Sequence, residues 1–312
     1  MTHTHLDPRA AALMVLLCTI WGLQQVAIKL ATPDMAPVLQ SAIRSIGAVG
    51  LVWLWTRRRG IDLRLNDGTL RPGLLAGVLF AGEFALLYWA LLYTSASHGV
   101  IFLYTAPFIV SLAVVWRLPN EHMRPTQWAG LALAFAGVLA LFGEGLLKPT
   151  GSTWIGDMMM LGAAVLWAGT TLTIKFSRLA TAAPEKTLLY QLAVSAAVLS
   201  ALAVALGETR VGAITPTLLL SLGFQIVIVA AISYAVWFWL ISHYPATRLS
   251  AFSFLTPVMG VLAGVVFLDE PLTPPIMIAM TLVGVGIWLA NRRPRPATGK
   301  SSHGSSGEHR RH

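Results

Sequence analysis

Residues 217–241 read TLLLSLGFQIVIVAAISYAVWFWLI, and no charged side chain interrupts them. At 1.5 Å per residue a helix of that length exceeds the roughly 30 Å hydrocarbon core of a bilayer. A surface helix of a soluble globule would carry a charged face toward water, and this segment has none. Outward from it, the same criterion places ten helices, near residues 10–31, 36–56, 73–95, 98–118, 125–146, 154–176, 186–206, 217–241, 248–268 and 274–291. The composition agrees: 56% of the 312 residues are apolar and only 11% charged, where soluble domains carry about a quarter charged residues. The loops leave no room for a soluble domain, and the basic tail 292–312 is expected to be disordered. The first run is too long for a signal-peptide core and has no small-residue cleavage site behind it.

The net charge of +9 would suit nucleic acid only if the basic residues formed a stripe on a folded surface. They collect instead between apolar runs, so no nucleic-acid partner is expected; the bilayer and a small-molecule substrate are. Of the 22 Lys and Arg, 18 fall on the N-terminal side of the ten-helix scheme and only Lys29, Lys148 and Arg210 on the other, with Arg44 inside a helix. The positive-inside rule then puts both termini in the cytoplasm. The single cysteine, Cys18, excludes an intrachain disulfide and a four-cysteine zinc site.

The second half echoes the first. Trp21 and Lys29 recur as Trp167 and Lys175, Pro37 as Pro184, Pro107 as Pro257, and Glu121, Pro125 and Gly137 as Glu270, Pro274 and Gly286. The chain divides into repeats at 10–146 and 154–291. Five helices per repeat is an odd number, so the two must be inverted, an architecture tied to alternating access. The expected fold is an all-α integral membrane protein of ten transmembrane helices in two inverted five-helix repeats.

Within the helices, Trp21, Gln25 and Lys29 share one face, as do Trp167, Thr171 and Lys175. Each Trp sits mid-helix, away from the interfacial belt, and faces either a cavity or the core; the lysines, in the last turns, read as snorkelling residues. Arg44 lies eight residues into the second helix, where a charge needs a partner or a cavity. Glu83 is its natural partner, either in a closed pair or as a group that meets the substrate or a proton. Tyr88, Tyr104, Ser233 and Trp237 complete the candidate substrate-binding set; Gln225 shares the stripe of Ser233 and Trp237. Pro107 and Pro257 each remove a backbone hydrogen bond in mid-helix and are candidate gates. Gly73 with Gly77, and Gly260 with Gly264, read as close-packing pairs. No metalloprotease, hydrolase or P-loop signature is present, and no cofactor is expected.

The set Ile20-Trp21-Gly22, Lys29, Arg44, Pro107, Glu121, Gly156-Asp157, Trp167, Lys175, Pro257 and Asp269-Glu270-Pro271 resembles the EamA-type carriers of the drug/metabolite transporter superfamily, and the aromatic-rich helices are similar to those of YddG-type amino-acid exporters. The first half departs at Pro119-Asn120-Glu121, where the second has Asp269-Glu270. The resemblance implies a bacterial inner-membrane carrier that exports amino acids or other small amphipathic metabolites. The alternative is a membrane scaffold, or an embedded enzyme of lipid or isoprenoid chemistry, which would need clustered acids where the helices offer only Glu83 and Asp157.

Overall fold

The computed structural model describes residues 6–90, 93–94, 96–117, 123–146, 153–267 and 274–292. Its helices are α1 (Pro8–Ala31), α2 (Pro37–Arg58), α3 (Leu70–Ala90), α4 (Ala96–Leu103), α5 (Ala106–Arg117), α6 (Pro125–Leu146), α7 (Thr153–Lys175), α8 (Pro184–Ala205), α9 (Pro216–Gly223), α10 (Tyr234–His243), α11 (Ala246–Ser253), α12 (Leu255–Phe267) and α13 (Pro274–Asn291). A π-helix, Phe224–Ser233, joins α9 to α10, and a short 3-10 turn, Arg178–Thr181, precedes α8. Among the described residues there is no strand, only an isolated bridge between Met35 and Val211. Among the described residues eight spans are long and apolar enough to cross a membrane, and two shorter apolar stretches lie at Pro125–Ala140 and Ile276–Asn291. Glu121, Lys148, Asp269, Glu270, Pro271 and the tail from 293 lie outside the described residues.

Three of the expected runs are not continuous α-helices. The fourth breaks at Tyr104-Thr105 between α4 and α5, and the ninth at Phe254 between α11 and α12. Pro107 and Pro257 therefore occupy the first turn of a new helix rather than the middle of an old one, a place where the missing N–H has no intrahelical partner to lose. The eighth run, 217–241, is α9, the π-helix and α10 in succession.

α2 and α8 carry the same ending at a spacing of 147 residues. Each begins at a proline, Pro37 or Pro184, and each closes on a left-handed glycine, Gly60 (φ 65°) or Gly207 (φ 72°). Gly60 N donates to Arg57 O (3.3 Å) and Ile61 N to Thr56 O (3.0 Å); Gly207 N donates to Val204 O (3.1 Å) and Glu208 N to Ala203 O (2.8 Å). Both are Schellman closures, which satisfy two otherwise orphaned carbonyls with a residue that only glycine adopts without penalty. The two helices pack on each other and run antiparallel. At one end Val38 N donates to Glu208 Oε2 (3.2 Å), Gly212 N to Asp34 O (2.7 Å) and Thr215 Oγ1 to Asp34 Oδ2 (2.5 Å). At the other, Lys186 Nζ donates to Asp67 Oδ2 (2.6 Å) and to Arg64 O, and Arg178 Nη1 to Asp67 O (3.0 Å).

Around this seam, α3 packs on α7 and α8, α1 on α12, and α6 on α13. The approach is close because small residues face each other. A Cβ on Gly22 would stand 2.6 Å from Gly260 N, and one on Gly77 would stand 2.7 Å from Val194 Cγ2. In a membrane such contacts replace the hydrophobic drive that lipid removes.

Candidate functional site

α1, α3, α7, α8, α10 and the two helix breaks enclose a cavity of about 170 Å³. Its wall is built by helical spacing. Trp21 and Gln24 stand at i and i+3 on α1; Phe80, Glu83, Phe84 and Leu87 on one face of α3; Trp167, Thr170 and Thr171 on α7; and Tyr234, Trp237 and Phe238 on α10. Leu103 and Tyr104 come from the first break, Ser253 and Thr256 from the second, and Gln191 from α8. Broken helices supply a wall with side chains that a continuous helix would aim elsewhere.

The rings hold one another edge to face. Trp21 and Trp237 have centroids 5.6 Å apart at 81°, Tyr104 and Trp167 5.6 Å at 84°, and Phe80 and Tyr234 5.7 Å at 84°. This is the geometry the ring quadrupole favours. Trp21 Nε1–H donates to Ser233 Oγ (2.9 Å), and Ser233 in turn donates to Val229 O (2.6 Å) in the π-helix. The indole is thus fixed in orientation by a polar contact across the two halves.

Among the candidate residues, the structure brings Trp21, Glu83, Tyr104, Trp167, Thr171 and Trp237 to the wall. Ser233 lies behind it as the Trp21 acceptor. The side chains of Gln25 and Tyr88 lie outside the described residues. Pro107 and Pro257 flank the breaks without forming the wall. Gln225 turns away: its Nε2 donates to Gln40 Oε1 (3.1 Å) and Ser221 Oγ (3.0 Å), because the π-helix breaks the four-residue stripe that joined it to Trp237. Lys175 caps a helix end, donating to Ile241 O (3.2 Å) and Tyr244 O (3.0 Å), where the negative end of the α10 dipole favours a cation.

Arg44 is placed differently from expectation. It is 1% exposed and absent from the wall. Its Nη2 donates to Ser41 Oγ (3.1 Å), its guanidinium lies 5.0 Å from the Phe84 ring centroid, and its Nε and Nη1 have no hydrogen-bond partner among the described residues. No ion pair joins it to Glu83 among the described residues. The reason is helical: Glu83 and Phe84 are consecutive, so their side chains leave α3 about 100° apart. Arg44 meets the ring and Glu83 faces the cavity. Gln24, Phe80, Phe84, Leu87, Leu103, Thr170, Tyr234, Phe238, Ser253 and Thr256 were not anticipated, and Gln191 only as the uncharged repeat counterpart of Arg44. Gln24 and Tyr234 were within reach of an i, i+3 reading from Trp21 and Trp237; the residues of the breaks carried no periodic signal.

Asp157 accepts from Thr94 Oγ1 (2.7 Å) away from the wall. Among the described residues no three His, Cys, Asp or Glu converge as a metal site would require.

The family model described as the EamA-like transporter family matches residues 8–143 and again residues 154–292. The chain is 27% identical to the uncharacterized transporter YoaV of Bacillus subtilis, over 86% of this chain and 92% of that one. It is 26% identical to proteins named probable amino-acid metabolite efflux pump in Salmonella typhimurium and in Escherichia coli, in each case over 89% of this chain and 93% of the other. A crystal structure at 21% identity has the same fold, with a TM-score of 0.77 over 89% of this chain and 96% of that one.

Proposed function

Since the chain belongs to the EamA-like transporter family and its relatives are named as transporters, we propose that it is not an enzyme but a secondary carrier exporting small amphipathic metabolites, amino acids first among them, by alternating access. The observation that carries this reading is the cavity itself: Trp21 and Glu83 reach it from the first half, Trp167 and Trp237 from the second. A site shared between two halves can be offered to either side by moving one against the other.

The reading includes ten helices in two inverted five-helix repeats. It is supported by the Schellman closures 147 residues apart, by the antiparallel packing of α2 and α8, and by the two stretches that the family model matches. Outward transport of amino acids follows the names of the two efflux pumps. The excess of Lys and Arg in the loops on the N-terminal side supports cytoplasmic termini, and a bacterial inner membrane follows from the resemblance to bacterial transporters. Without a P-loop in the sequence, the drive is a substrate or ion gradient.

The test is flux. Purified protein in liposomes, loaded with a radiolabelled panel of amino acids and small amines, should release at least one of them faster than empty liposomes. A panel that leaks at the empty-liposome rate throughout would overturn the carrier reading.

A further inference from the structure

A molecule entering the cavity meets one acidic side chain, Glu83, and no basic one among the described residues of the wall. Around it stand the rings of Trp21, Tyr104, Trp167, Tyr234 and Trp237. Their faces carry negative potential, which attracts a cation and repels an anion. The nearby cation, Arg44, acts on Glu83 through its charge but presents no surface to the cavity. Its guanidinium is 1% exposed and lies 5.0 Å from the centroid of Phe84, whose ring belongs to the wall and covers it.

Gln191 is the second, independent observation. It is fully buried on the wall, and both its amide nitrogen and its amide oxygen have no partner among the described residues. Left that way, a buried amide loses the hydrogen bonds it had in water. It can be satisfied by a ligand group that accepts and donates at once, such as a carboxamide or a hydroxyl. It supplies no charge to neutralise a carboxylate. Gln191 stands 147 residues after Arg44, so the position that holds a cation in α2 holds a neutral amide in α8.

We infer that the cavity selects its substrate through a protonated amine and not through a carboxylate, so that its ligand class is a monoamine cation on a compact apolar body whose other end is uncharged. The inference rests on the carrier reading for its role in transport and narrows its substrate class, ranking amines and amino-acid amides ahead of the zwitterionic amino acids named there. The amine pairs with Glu83 and lies against the indole and phenol faces. An uncharged hydrogen-bonding end, where present, pairs with Gln191. A free carboxylate has no cation to meet and shares a desolvated space with Glu83, so a zwitterionic amino acid is a poorer ligand than its amide or its decarboxylated amine.

Calorimetric titration of the detergent-purified protein with 2-phenylethylamine, phenylalaninamide, phenylalanine and 3-phenylpropionate holds the ring constant and varies only the charged ends. The two cations should bind, phenylalanine should bind roughly tenfold more weakly or worse, a difference of about 1.4 kcal/mol, and 3-phenylpropionate should give no binding. Glu83→Gln should lower the affinity for 2-phenylethylamine to that for phenylalanine. Equal or tighter binding of phenylalanine or 3-phenylpropionate, no binding by any of the four, or an unchanged amine affinity in Glu83→Gln would overturn the inference. If that variant does not fold, the wild-type series decides alone. The flux experiment judges the carrier reading separately: binding of amines without any flux would refute the carrier and keep the amine site, whereas flux with zwitterions bound best would do the reverse.

Discussion

At Arg44 the alkyl stem and the guanidinium can be separated by substitution. The stem fills space in the α2 seam, whereas the head has one hydrogen bond, to Ser41, and a ring contact, with Nε and Nη1 unmet among the described residues. Removing a buried charge in favour of an apolar side chain of similar length is often neutral or stabilising. Arg44→Met should therefore hold thermal stability within about 1 kcal/mol of the parent, while Arg44→Ala, which also empties the space, should lose about 2 kcal/mol or more. Fluorescence-detected unfolding of both variants in one detergent checks this, and a loss in Arg44→Met as large as in Arg44→Ala would show that the charged head, not the stem, stabilises the seam. The sequence showed that Arg44 and Glu83 were the charges to explain, because ionisable groups are costly in lipid. It could not show that they part company, since that depends on which of two adjacent positions on α3 turns toward α2. The same one-residue ambiguity separates Gln25, read from a four-residue stripe, from Gln24, which the structure puts on the wall.

The prolines and the π-helix act on whole elements. Pro107 sits in the first turn of α5, so restoring its N–H mends no helical hydrogen bond. Pro107→Ala should change stability by no more than about 1 kcal/mol and should leave α4 and α5 separate, as hydrogen-exchange protection across residues 100–110 would report; new protection at Thr105 to Ile109 would mean that the proline itself imposes the break. The π-helix Phe224–Ser233 makes the opposite case. A π-turn accommodates an extra residue within a helix, so deleting lipid-facing Val227 lets the segment relax to α-helical form with Trp237 still aimed at the cavity. The same deletion at exposed Val78 in α3 rotates Glu83 by about 100°. Deletion of Val227 should yield folded protein by size-exclusion profile and deletion of Val78 should not; equal behaviour would show that the π-segment provides no slack. The helices themselves were legible from length and hydropathy. Their interruptions were not, because a helix apolar all round has no polar face whose phase could reveal a slip.

On the scale of the whole molecule, the ends of the α2–α8 seam are joined by polar contacts that hydropathy does not register. Asp67 is the ionisable group of one of them. Its hydrogen bonds from the Lys186 ammonium and from Thr69 hold its carboxyl well below the usual carboxylate range. A group depressed in the folded state stabilises it above the unfolded pKa, about 3.9, and that contribution is lost as pH falls through this value toward the folded one. Melting curves from pH 7 to 2 should accordingly show Asp67→Asn below the parent at neutral pH, with the gap constant above about pH 5 and narrowing steadily below about pH 4; a gap that did not narrow at all below pH 4 would assign the loss to shape rather than charge. The other end is fastened by Asp34 to Thr215 and Gly212 and by Glu208 to Val38. Mechanically, two rods bolted together at both tips can neither slide past each other nor splay. Their remaining freedom is flexure of what is attached to them, and the chain has its joints where the helices of the wall are interrupted, at Tyr104-Thr105 and at Phe254. On the proposed carrier reading, opening would be bending at these two elbows about a spine that stays still.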